Sequence, residues 1–155
     1  MIKKQLFEYL IAKIRDSAGK AGGRDEELLN ICTLLKENVP YYNWVGFYLV
    51  PSAESKELII GPYVGEITEH TRIPFGKGIC GQAADRKKTF IVPDISQETN
   101  YLACNPHVRS EIVIPIIKNN QVIGELDIDS NTMGAFTEAD EKFLAEVCQI
   151  VNELY

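Results

Sequence analysis

Four cysteines, Cys32, Cys80, Cys104 and Cys148, are spread through 155 residues. They are too few and too scattered for the disulfide framework of a secreted scaffold. In a reducing compartment each is core filler, metal ligand or reactive thiol. Cys32 shares a helical apolar face with Leu28, Ile31 and Leu35, and Cys148 lies beside Val147 and Val151. Both read as small hydrophobes. Cys80 follows Gly76-Lys77-Gly78-Ile79 and precedes Gly81. At a helix start, free N–H groups, the helix dipole and Lys77 would favour its thiolate. The alternative is a small residue filling a tight turn. Cys104 lies in the polar stretch Asn100-Tyr101-Leu102-Ala103-Cys104-Asn105-Pro106-His107, where there is less core to fill. His107 and Arg109 are placed to stabilise its thiolate; the alternative is an incidental loop thiol. A zinc set of Cys80, Cys104, His107 and His70 has no Cys-x-x-Cys pair and fits no compact zinc knuckle, so no metal is expected.

Carboxylates and aromatics supply further candidates. Strand alternation places Asp127 and Asp129 on one face, with Leu126 and Ile128 on the other. Two like charges so close need water or a cation between them, and a ligand ammonium would serve. The same alternation puts Trp44, Gly46 and Tyr48 on one face, either as a ligand wall or as ordinary sheet packing. Glu111 opens the strand before the aspartates. A two-residue Asn119-Asn120 turn would set it opposite Ile128, on the wrong face. A three-residue Lys118-Asn119-Asn120 loop would set it opposite Asp127. A three-acid pocket therefore requires the odd loop.

These residues need elements to hold them. Ile2, Leu6, Leu10 and Ile14, with Phe7 and Ile11, form a helical stripe to about Asp16. After the flexible 17–23 break, Asp25 is placed to cap a second helix that Pro40 stops. Residues 44–50, 58–63, 72–75, 89–92, 111–117 and 121–129 read as strands. A short helix is expected from about Ile79 to Arg86, a long irregular loop from Pro93 to Arg109, and a last helix from Thr137, with Asp140 completing its capping box. The pattern is α+β: an antiparallel sheet with helices on one face, and loops with a short helix forming a pocket on the other. A single domain over 1–155 is expected, with N-terminal helices at about 2–39, sheet and pocket loops at about 43–130 and a C-terminal helix at about 137–154.

Composition excludes several classes. Apolar residues at 45% and charged residues at 25% are those of a globular protein. No apolar run approaches the roughly 20 residues of a membrane span. A net charge of -6 lacks the basic footprint of a nucleic-acid binder. Charge appears at once in Met1-Ile2-Lys3-Lys4, too early for a secretory signal, so a cytoplasmic address is expected.

Several segments carry a family pattern. They are Asn43-Trp44-Val45-Gly46-Phe47-Tyr48, Arg72 through Gly81, Ala103-Cys104, Ser110 through Pro115 and Leu126-Asp127-Ile128-Asp129-Ser130. Together, over about residues 41 to 150, they resemble the free methionine-(R)-sulfoxide reductases of the GAF-domain superfamily. The resemblance implies a GAF fold and free methionine (R)-sulfoxide as substrate. It implies Cys104 as nucleophile, Glu111, Asp127 and Asp129 lining the substrate site, and Trp44 and Tyr48 in its wall. Oxygen transfer would leave a sulfenic acid on Cys104, with a protonated carboxyl assisting. A second thiol would then form a disulfide, reset by a thioredoxin-type reductant, with no bound cofactor. Most members carry a further cysteine ten residues before the position of Cys80. Here it is His70, which leaves Cys80 as the resolving candidate within these motifs. The segment 100–105 also departs from the usual Gly-His-Ile-Ala-Cys-Asp. The competing reading is a non-catalytic GAF module that binds a small ligand or senses redox state. GAF domains commonly pair through their terminal helices, so a homodimer is a further expectation.

Overall fold

Apolar residues alternate along the strands and sort the sheet into two faces, each with its own cluster of buried side chains. The computed structural model describes residues 2–20, 22–102 and 105–155. Its elements run α1 (Lys3–Ser17), α2 (Arg24–Asn38), β1 (Trp44–Leu49), β2 (Glu57–Val64), β3 (Arg72–Pro74), α3 (Gly78–Arg86), β4 (Phe90–Val92), a 3₁₀ turn (Ile95–Gln97), β5 (Ser110–Lys118), β6 (Gln121–Ser130) and α4 (Glu138–Asn152). The strands form one six-stranded sheet in the order β3-β2-β1-β6-β5-β4, and each neighbouring pair is antiparallel.

On one face, α1, α2 and α4 bury Leu10, Ile31, Leu35, Leu144 and Val147 against Val45, Phe47, Ile112, Leu126 and Ile128. Cys32 and Cys148 sit inside this core, as their helical spacing indicates. The helix ends differ in their devices. Thr137 and Asp140 close the expected capping box on α4. Asp140 also accepts hydrogen bonds from Lys3, Tyr41 and Tyr42, so it ties α1 and the lead into β1 to α4. Burial pulls its pKa up, but these donors outweigh burial and hold the carboxyl below its usual value. Asp25 is not the cap of α2. Gly23 takes that position, and Asp25, Glu26 and Glu27 lie in the first turn, where acids complement the helix dipole.

The β5–β6 hairpin corrects the expected register. The turn is the two-residue Asn119-Asn120, with φ of 53° and 62°. That matches the type I′ geometry of tight hairpins. Lys118 pairs with Gln121 and Ile117 with Val122, but Ile116 pairs with Gly124. Ile123 is the extra residue of a β-bulge, and from there on the pairing is shifted by one. Glu111 therefore faces Asp129, not Asp127, and Val113 faces Asp127. Directly opposed residues share a face, so Glu111 joins both aspartates after all. The bulge does what a three-residue loop was expected to do.

Among the described residues, no helix is long and apolar enough to cross a membrane.

Candidate functional site

The second face of the sheet carries the polar set. β1 contributes Trp44 and Tyr48, β5 Glu111, β6 Asp127 and Asp129, and α3 lays Cys80 over them. Gly46 explains how the aromatic wall is built. A Cβ there would lie 2.4 Å from the Trp44 ring. The indole thus fills the space an ordinary side chain would take. It stacks on Tyr63 at 5.2 Å and on Tyr48 at 6.5 Å between ring centroids. Its Nε1–H donates to the Glu66 carbonyl at 3.0 Å, and the Tyr48 hydroxyl donates to the His70 carbonyl at 3.0 Å. Both polar ends are anchored, so the wall is rigid.

Three carboxyls meet as the resemblance implies. Glu111, Asp127 and Asp129 are each about 5% exposed or less. Burial, then the charges of Asp127 and Asp129, push the Glu111 pKa well above the carboxylate range. Burial raises both aspartates, and the Asp127 charge raises Asp129 further, while hydrogen bonding with Glu111 pulls both back in part. The cluster therefore keeps a proton, shared among the three coupled carboxyls.

A fourth carboxyl was missed. Glu125 is fully buried on the same face, opposite Tyr48 and Pro115, and burial followed by the Asp127 charge raises its pKa well above normal. The alternation that aligned Asp127 with Asp129 reaches Glu125 one step earlier, so the signal was in the strand pattern.

Cys80 sits at the helix start as expected, but it is not activated. Burial comes first, then the charges of Asp127, Glu125, Glu111 and Asp129, and together they push its thiol pKa well up. Its Sγ lies 3.9 Å from Glu111 Oε2. The two features expected to favour the thiolate act elsewhere. Lys77 is exposed to solvent. The first N–H of α3, on Gly78, donates to Asn100 Oδ1 at 2.7 Å, and Asn100 Nδ2 donates to the Gly76 carbonyl at 2.8 Å. Asn100 thus clamps the long loop onto the helix. Gly78 has a φ of 67°, and a Cβ there would meet Leu102 at 2.9 Å, so only glycine suits this junction.

Cys104 and Ala103 lie outside the described residues. Nearby, His107 and Arg109 are exposed, and Asn105 donates to Glu66 at 2.8 Å. Two cavities flank the acids. A cleft of about 400 Å³ is lined by Asn43, Trp44, Glu66, Thr68, Asn105 and Asp129. A smaller one of about 20 Å³ lies among Tyr48, His70, Cys80, Leu102, Glu111 and Asp127. The smaller one holds roughly one water, so it is closed to an amino acid in this conformation.

The profile of the GAF domain family matches residues 24–153. The free methionine-R-sulfoxide reductase of Escherichia coli K12 is 41% identical over 120 residues, covering 77% of this chain and 70% of that protein. GAF domain-containing protein A of Dictyostelium discoideum is 37% identical over 150 residues, 97% of this chain and 92% of that one. The X-ray structure of free methionine-R-sulfoxide reductase from Neisseria meningitidis in complex with its substrate superposes with a TM-score of 0.91 at 35% identity, covering 99% of this chain and 90% of that one.

Proposed function

The chain belongs to the GAF domain family and, within it, to the free methionine-(R)-sulfoxide reductases, and we propose that it reduces free methionine (R)-sulfoxide to methionine by thiol chemistry. The observation that carries this reading is the buried carboxyl cluster. It gathers three buried carboxyls whose pKa values are all raised, so that a proton is retained among them, under an aromatic wall and next to a thiol.

The chemistry follows from that set. The Cys104 thiol takes the sulfoxide oxygen, so methionine sulfoxide becomes methionine and Cys104 becomes a sulfenic acid. The sulfoxide oxygen is weakly basic, and the Glu111 proton neutralises charge on it as the S–O bond breaks. Asp127 and Asp129 hold the substrate ammonium. Trp44 and Tyr48 pack the rest of the substrate. Cys80 then condenses with the sulfenic acid, giving a disulfide and water. The Cys80 thiol proton and the sulfenic hydroxyl leave together as water; burial and the neighbouring carboxyls hold the Cys80 thiolate fraction down, which makes this condensation the slow step. A dithiol protein of the thioredoxin type reduces the disulfide. Substrate admission requires Tyr101 and Leu102 to withdraw from the small cavity that they line.

Incubation of the protein with racemic free methionine sulfoxide and dithiothreitol, followed by chiral chromatography, tests the reading. The R epimer should disappear and the S epimer persist, and Cys104→Ser should abolish the loss. Persistence of both epimers would sink the proposal. The wide cleft beside Trp44 and Asp129 would then favour the binding-module alternative, and native mass spectrometry would show a retained small ligand.

A further inference from the structure

The acids and the thiol form a donor set that the reaction above uses only as proton carriers and substrate contacts. Cys80 Sγ and one oxygen each from Glu111 and Asp127 all lie within 4.8 Å of one another. The Cys80–Glu111 pair is the 3.9 Å contact. Tetrahedral zinc, with Zn–S of about 2.3 Å and Zn–O of about 2.0–2.2 Å, holds such donors roughly 3.5 Å apart. A contraction of a few tenths of an ångström therefore brings the Cys80–Glu111 pair to that spacing. A second observation points to a cation. Asp127 Oδ1 and Asp129 Oδ1 are buried and have no hydrogen-bond partner, and the buried Glu125 carboxyl has at most a weak contact with the Cys80 thiol. Buried carboxylate oxygens are ordinarily satisfied, and those here line one face of a single strand, β6. Among the described residues lining the small cavity there is no lysine or arginine.

We propose that the reduced protein binds a divalent cation of borderline softness, of the Zn²⁺ type, through Cys80 Sγ, Glu111 and Asp127. The thiol excludes Mg²⁺ and Ca²⁺ as natural occupants, since both prefer all-oxygen shells. Binding displaces the Cys80 and Glu111 protons to solvent. The small cavity is the size of an ion or a water, and the fourth position falls to water. The ligands come from α3, β5 and β6, which explains why no metal-binding spacing is visible along the chain. A corollary rests on the reductase reading: the bound cation occupies the acids and the resolving thiol, so it inhibits sulfoxide turnover. A disulfide at Cys80 removes its thiolate ligand.

Cobalt(II) titration of the fully reduced protein tests the site by a readout independent of activity. A thiolate-to-cobalt charge-transfer band in the near ultraviolet should saturate at one equivalent and vanish on addition of Zn²⁺. It should be lost in Cys80→Ser, and Asp127→Asn should weaken Co²⁺ binding at least about tenfold. Circular dichroism and thermal melts establish that both variants fold, and Cys80→Ala provides a second variant. No band, or a band that survives Cys80→Ser and Cys80→Ala, would overturn the site. If the band behaves as expected, Zn²⁺ should suppress turnover at the same stoichiometry and a chelator should restore it. Binding without inhibition would overturn the corollary and leave the site standing.

Discussion

The two faces of one sheet are built from the same strands and do opposite things. Along β6, Leu126 and Ile128 enter the helix-covered core, while Glu125, Asp127 and Asp129 enter the face under α3 and the long loop. Buried thiols lie on both sides. Cys32 and Cys148 have their pKa values raised first by burial, and Cys148 in addition by the charge of Glu125 from across the sheet. Cys80 is raised by burial and by four carboxyls together. The helix face spends its residues on packing, and the loop face gives up packing for polar groups that want a partner. Stability and chemistry are thereby separated by the thickness of the sheet.

That separation is open to direct tests. The largest effect belongs to Glu111→Gln, which keeps the shape and removes the transferable proton. Turnover of methionine sulfoxide should fall about 10²–10⁴-fold, with the melting temperature not lowered. An unchanged kcat would remove Glu111 from the chemistry. Next, Leu144→Ala on the helix face should cost about 2–5 kcal/mol in a denaturant melt, with kcat preserved in the folded fraction. A drop in kcat there would mean that the faces are coupled.

The smallest effect has the opposite sign. Glu125→Leu should stabilise the protein by about 1–3 kcal/mol near pH 8, because it removes a buried carboxyl that the Cys80 thiol compensates only weakly. The sign follows from linkage. Glu125 has a raised pKa in the fold, so the folded state binds its proton more tightly than the unfolded chain does. Its contribution is fully favourable below the unfolded value of about 4.3 and is lost as pH climbs from there through the raised value. The advantage of Glu125→Leu should therefore shrink toward pH 4. A pH-independent advantage would show that Glu125 does not titrate in the fold.

Much of this arrangement was legible along the chain. Regular apolar spacing located the helices and strands, and Thr137 with Asp140 marked the start of α4. Alternation sorted Asp127 and Asp129 from Leu126 and Ile128. What failed was non-local. The start of α3 is visible from the residues around Cys80, whereas the groups that dominate its thiol arrive from β5 and β6. Asn100 reads as a loop residue, and its clamp on Gly76 and Gly78 exists only once the loop folds back. The hairpin was decided by Ile123, whose type carries no bulge signature.

That single bulge has a consequence for how the hairpin can vary. The strand pair behaves like a reading frame with a period of two. Ile123 is a one-residue shift that restores phase between the turn and the acids. Deleting it, or adding one residue to the Asn119-Asn120 tip, would put the distal half and the acid half out of step. Changes of tolerated length at this tip should therefore come in pairs, or bring a compensating bulge elsewhere in β5 or β6.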